Sequence, residues 1–257
     1  MSRARKPRAP KKRIEGTYSI DTGTAAIVAD PGRDGAFVLE VNRVPSSYVV
    51  PGAPEVLEYD YMRWIAEFLP DPSDSQELTT VHLGAAGCAL PSYVAQRYGG
   101  THVAVEVDAK LAELVRWAFD PPVAIRVAEG RAFTHALPAG SADVIVRDVF
   151  SGPSVPRTLT TVEFYRAAQD ALKLGGLFVA NVGDRAGLPE TRAEIAGLRE
   201  VFAHVAVAGP QEMLDGRAYG NVVVAASNGE LSFTGDVPWR IGSWVADLAA
   251  GTVARRD

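Results

Sequence analysis

The sequence predicts an α/β protein. Its main part is a Rossmann-like, mostly parallel sheet whose last strand runs antiparallel, and a small antiparallel β domain precedes it. Three observations carry this expectation. Residues 79–105 read as strand, glycine turn, helix and strand, which is one βαβ unit with a right-handed crossover. Strand-like and helix-like runs then alternate as far as residue 226. Residues 16–48 instead show short β-prone runs separated by turn signals.

Three segments follow: a disordered basic tail over residues 1–13, a β-hairpin domain over 14–54, and the Rossmann-like domain over 55–257. In the hairpin domain, runs 24–29 and 36–41 flank Asp30-Pro31-Gly32-Arg33-Asp34-Gly35, and residues 44–48 lead into a strand that Pro51-Gly52 breaks. Leu57, Tyr61, Trp64, Ile65 and Phe68 recur at helical spacing, so a bridging helix is expected over 56–69, ended by Pro70-Asp71-Pro72. Residues 79–83 form the first strand of the main sheet. Leu90, Tyr93 and Val94 mark a helix that Gly99-Gly100 should stop, and residues 102–105 the second strand. Leu111, Leu114, Val115 and Ala118 mark the next helix, before strands at 123–127 and 142–147. Residues 149–159 carry three proline or glycine breaks and read as a lid. Thr160 with Glu163 is a capping-box pattern for a helix to about Leu174, closed by Gly175-Gly176. A strand at 177–181, a helix around 193–202, strands at 205–208 and 221–226 and a short helix near 241–250 complete the chain. A βα series ending in an antiparallel strand pair is the pattern of class I methyltransferase-type domains.

Composition narrows the function classes. No apolar run approaches the roughly 20 residues that span a bilayer, and the basic start is followed by no apolar signal region. The single cysteine, Cys88, excludes an internal disulfide and fits a reducing compartment, so a cytoplasmic location is expected. Residues 1–13 hold seven of the 26 lysines and arginines and no acid, which leaves 19 basic against 31 acidic residues in the rest. Such an acidic body suits small cationic partners; no nucleic-acid or membrane partner is expected. The four histidines do not cluster in sequence, and each reads as core or surface; no metal is expected.

The site should lie beyond the carboxyl ends of the strands. Gly84-Ala85-Ala86-Gly87 turns the chain there, and Glu106, about twenty residues on, suits the hydroxyls of a ribose. A dinucleotide fingerprint is missing, because the spacing is G-x-x-G and Ala86 fills the place of the second glycine. A nucleoside ligand without phosphates, such as an S-adenosyl sulfonium compound, is therefore expected. Glu129-Gly130 after the third strand reaches the same edge. Asp148, after the fourth, is the best-placed catalytic residue.

These features together resemble the spermidine synthase, or polyamine aminopropyltransferase, family over about residues 17–227. Gly84-Ala85-Ala86-Gly87-Cys88 sits where that family has G-G-G-D-G, Glu106 matches its ribose-binding acid, and Glu129-Gly130 matches the Asp-Gly pair beside adenine. Residues 143–151 lie on the family's D-V-I-x-x-D-S-S-D-P segment, and Tyr59-Asp60-Tyr61-Met62 on its Y-H-E-M. The resemblance implies that Gly84, Ala85, Gly87, Glu106, Val107, Glu129, Gly130 and Asp148 hold decarboxylated S-adenosylmethionine or S-adenosylmethionine. It also implies that Asp148 and Tyr59 act in the chemistry, with putrescine or another polyamine as partner and a homodimer as assembly. The departures lie on the amine side. Ser151 replaces the second aspartate, and Val44-Pro45-Ser46-Ser47 falls where the family presents an aspartate-glycine and a glutamine. Asp60, Asp184, Glu212 and Asp215 are the acids available to substitute. A methyltransferase using S-adenosylmethionine and a non-catalytic protein with the same fold are the alternatives.

Overall fold

The computed structural model describes residues 14–71, 77–152 and 154–257; the expected disordered tail lies outside the described residues. The chain begins with an antiparallel sheet in the order β1 (Gly16–Ile20), β2 (Gly23–Ala29), β3 (Phe37–Val41), β4 (Val44–Val49). Alternation along β2 and β3 turns Ala25, Ile27 and Leu39 inward, where they pack with Leu111, Val115 and Phe119 of a later helix. A polar clasp accompanies this contact. The Asp108 carboxylate accepts the Asp21 and Thr22 amides and the Thr22 hydroxyl, fixing the β1–β2 turn to the main sheet.

A bridging helix, α1 (Asp60–Ala66), follows. It is shorter than the periodicity predicts, because the Arg63 guanidinium donates to the Leu57 and Glu58 carbonyls and holds the preceding chain in a non-helical coil. The main domain then runs β5 (Glu77–Leu83), α2 (Ala89–Arg97), β6 (Gly99–Glu106), α3 (Ala109–Phe119), β7 (Ala124–Val127), α4 (Gly130–His135) and β8 (Ala142–Arg147). After a 3-10 turn at Arg157–Leu159 come α5 (Val162–Ala171), β9 (Leu172–Asp184), α6 (Pro189–Leu198), β10 (His204–Ala208), α7 (Gln211–Leu214), β11 (Gly220–Ser227), β12 (Trp239–Arg240) and α8 (Ser243–Ala249).

The eight strands lie in the order β12-β10-β11-β9-β8-β5-β6-β7. Strands β8, β5, β6, β7 and β9 are mutually parallel, and β11 runs antiparallel to both β9 and β10. This is the predicted Rossmann-like, methyltransferase-type sheet, extended by the unpredicted β12. From β5 the chain moves outward through β6 and β7, then returns to the other side of β5 as β8 and β9. The order thus reverses between β5 and β8, and the crevice at that switch point is where ligands bind in such sheets.

Three local expectations are corrected. Gly99-Gly100 begins β6 and does not stop α2; Gly100 has φ +109°, and a Cβ there would lie 2.3 Å from the Leu78 carbonyl oxygen, so close strand approach demands the glycine. Gly175-Gly176 likewise lies inside β9, where the pairing with β8 shifts register between Ala142 and Val144; Gly175, at φ +74°, is part of the extra chain. The cap of α5 is the Thr161 hydroxyl, which accepts the Phe164 amide, while Thr160 donates to the Arg157 carbonyl.

Candidate active site

A cleft of about 1490 Å³ opens at the switch point. Gly84, directly after β5, has φ +89°, and a Cβ on it would stand 2.1 Å from the Asp148 carbonyl oxygen. Its glycine is required because two chain segments meet there. Ala85 and Ala86 also line the cleft. Gly87 does not; its amide donates to the Ser47 hydroxyl of β4 at 2.9 Å, and a Cβ would collide with Ser47 and Val49 at 2.7 Å. Of the two glycines in the turn, one makes room at the cleft and the other seats the turn on the N-terminal sheet.

Glu106 ends β6 with its carboxylate at the mouth of the turn, accepting the Asp108 amide at 3.0 Å and the Ala85 amide at 3.4 Å. Burial raises its pKa above the ordinary carboxylate value, and the amides of Asp108, Ala85 and Ala86 oppose that rise. Val107 beside it is exposed on the cleft wall. Glu129 caps α4, a helix not expected from the sequence, accepting the Arg131 and Ala132 amides. Glu129 and Gly130 still border the cleft.

Asp148 follows β8 and is held by two donors. The Asn181 side-chain amide of β9 reaches Oδ1 at 2.9 Å, and the Tyr61 hydroxyl of α1 reaches Oδ2 at 3.0 Å. Burial raises the Asp148 pKa, with the Asn181 and Tyr61 hydrogen bonds and the Arg147 charge opposing it. Burial and the Asp148 charge push the Tyr61 hydroxyl well above its usual value, so it stays protonated and donates. Tyr59 is not among the hydrogen-bond partners of Asp148; its ring stacks on Tyr61 with centroids 6.1 Å apart, in the same cleft. Residues 149–152 roof this part, with the Phe150 ring against Gly183 and Ser151 bridged to Ser154.

The chain is 38% identical to a probable spermidine synthase from Corynebacterium glutamicum ATCC 13032, with a TM-score of 0.87 over 96% of this chain and 97% of that one. The chain belongs to the spermidine synthase family. The spermidine synthase from Thermotoga maritima aligns with TM-score 0.58 at 20% identity, over 83% of this chain and 72% of that one, and shares the fold. A spermidine synthase in complex with the transition-state analogue AdoDATO gives 0.57. Human methyltransferase-like protein 13 in complex with SAH gives 0.54 at 20% identity, over 73% of this chain and 86% of that one. No family model matches the sequence, and no curated protein matches it.

Within this spermidine synthase family member, the acids considered for the amine side separate. Asp184 is buried and occupied, accepting the Arg185 amide and both the amide and hydroxyl of Thr191. Asp215 pairs with Arg217 and Gln211 outside the cleft. Asp60 borders the cleft but pairs with Arg63. Glu58 and Glu212 border it as exposed residues. Sequence reasoning missed Tyr61 and Asn181 as partners of Asp148. Tyr61 falls on the apolar stripe of α1, and Asn181 lies 33 residues from Asp148. A polar residue ending an otherwise apolar run, as Asn181 does after 177–180, was the available signal. Among the described residues no group of His, Cys, Asp and Glu is placed to hold a metal, and no helix is long and apolar enough to cross a membrane.

Proposed function

We propose that this protein binds decarboxylated S-adenosylmethionine and transfers its aminopropyl group to an amine of the polyamine class. The observation that carries the reading is Asp148. A carboxylate held from two sides stands at the switch point, in one cleft with the Gly84 turn and Glu106. The residues suit an adenosyl group: Glu106 offers acceptors to ribose hydroxyls, and Ala85, Ala86 and Gly130 leave the wall low enough for the nucleoside. The sulfonium supplies an electron-poor CH2 and a neutral thioether leaving group. The acceptor nitrogen forms the new C–N bond with its lone pair as the C–S bond breaks, and its surplus proton passes to the Asp148 carboxylate. Tyr61 and Asn181 keep that carboxylate oriented and ionised. Glu58 and Glu212 lie where a remote ammonium of the acceptor could rest.

The reading is tested by incubating the protein with decarboxylated S-adenosylmethionine and putrescine. Release of methylthioadenosine with a matching amount of spermidine is expected; binding of the nucleoside without either product would reject aminopropyl transfer. Methyl transfer is the second reading, favoured by Ser151 alone, since an acid there would repel the methionine carboxylate. Turnover with S-adenosylmethionine in place of the decarboxylated form would select it.

A pH dependence follows. Asp148 works as the carboxylate, and its pKa is raised, so activity should rise with pH through a limb above the ordinary carboxylate range. The Tyr61 hydrogen bond favours the ionised form, so Tyr61→Phe should move that limb to higher pH and leave the plateau comparatively unaffected. A limb unmoved in the kcat profile would show that another group sets it.

A further inference from the structure

We infer that Nδ1 of His82, an unpartnered acceptor sealed just beneath the cleft floor in the free protein, takes a hydrogen-bond donor at the end of the alkyl arm that a bound adenosyl ligand carries on its sulfur, once that arm parts the side chains above it. The inference rests on the adenosyl reading above. His82 stands on β5 two residues before Gly84, opposite Val146 of β8, and lines the cleft with Tyr61, Leu90 and Val146. It is 2% exposed, and its Nδ1 has no hydrogen-bond partner.

Its neighbours settle the proton positions. The Tyr98 carbonyl can only accept, so His102 Nε2, 3.2 Å away, carries a proton. His102 Nδ1 is then an acceptor and takes the Thr80 hydroxyl proton at 2.8 Å. The Thr80 oxygen in turn accepts from His82 Nε2 at 3.1 Å. The chain Tyr98–His102–Thr80–His82 thus assigns His82 the Nε2–H tautomer and leaves Nδ1 as a bare lone pair. The two imidazole nitrogens point in nearly opposite directions. Nε2 leans back toward Thr80, so Nδ1 lies on the side of the ring turned away from Thr80. Burial, with His102 nearby, lowers the His82 pKa to about 3, so the ring stays neutral across the working range.

A buried acceptor without a donor is costly, and a ligand that supplies one gains what the free protein lacks. With the ribose at Glu106 and the sulfur before Asp148, the arm on sulfur extends over the floor toward His82. The contact offers a lone pair and no negative charge. A hydroxyl-ended arm should therefore serve as well as an amine-ended one, while a methyl group gains nothing.

Calorimetry with 5′-methylthioadenosine and its 3-aminopropyl and 3-hydroxypropyl thioether counterparts tests this. Both arm-bearing ligands should bind the native protein about tenfold more tightly than the methyl compound. His82→Leu should erase that preference with methylthioadenosine affinity unchanged, which also verifies folding. His82→Gln, which can keep the Thr80 contact but offers nothing at the Nδ1 position, should lose it equally. His82→Asn, whose amide oxygen falls near Nδ1, should keep part of it. A preference surviving in His82→Leu or His82→Gln overturns the inference, and so does a tenfold advantage of the amine over the hydroxyl arm, which belongs to a carboxylate. Failure of all three ligands to bind the native protein would instead remove the adenosyl reading itself.

Discussion

Asp148→Asn is expected to lower amine-dependent release of methylthioadenosine by about 10²–10⁴-fold while changing nucleoside affinity little. The substitution preserves shape. The new amide oxygen can still accept from Asn181, and the Tyr61 hydroxyl can turn to accept from the new NH2 group, so neither neighbour is orphaned. What disappears is the basic oxygen that, in the proposed reaction, takes the proton from the attacking nitrogen. Because the proposed ribose contact is Glu106 at the end of β6, supported by the Ala85 amide of the turn after β5, the nucleoside Kd should stay within a few-fold of native. Steady-state turnover together with calorimetry on one preparation separates the two effects. Loss of both would make Asp148 a structural cap of the switch point, and retained turnover would remove it as the base.

The half of the cleft assigned from sequence to an adenosyl ligand rests on local rules. A glycine turn after one strand and an acid after the next appear at fixed spacing along the chain, and both landed in one cleft. The strands from β5 to β11 were legible because each is a short apolar run, whereas the two-residue β12 was not. The surroundings of Asp148 were not, because they are assembled from segments distant in sequence: Tyr61 from α1 and Asn181 from β9. Tyr61 illustrates the difficulty. Its spacing with Leu57, Trp64 and Ile65 is that of a buried stripe, yet α1 turns its ring over the sheet edge and onto Asp148. Glycine pairs misled in a consistent way, being read as helix stops at Gly99-Gly100 and Gly175-Gly176, where tight strand contact and a bulge required them.

Behind Asp148 lies an ion pair that periodicity also concealed, because Arg147 reads as the last residue of an apolar strand. Its guanidinium is fully buried and donates to the Glu194 carboxylate and the Leu159 carbonyl at 2.9 and 3.0 Å, and to the Asn181 carbonyl at 3.3 Å. The Tyr165 hydroxyl completes the cluster on Glu194 at 2.5 Å. Removing one member of such a pair strands a charge without solvent, so Glu194→Leu should cost about 3–5 kcal/mol, visible as a lower urea midpoint. Replacing the set together, as Arg147→Met with Glu194→Leu and Tyr165→Phe, strands no charge, and most of that loss should return. Two carbonyls would still lack their donor, at about 1 kcal/mol or more each. Those carbonyls are not neutral to function: Leu159 closes the loop roofing Asp148, and Asn181 orients its carboxylate. The triple variant should therefore fold yet turn over more slowly than the native protein, with the kcat loss exceeding any change in nucleoside affinity. A triple variant with native kcat would confine Arg147 to stability, and a Glu194→Leu cost below about 1 kcal/mol would show that water reaches the pair.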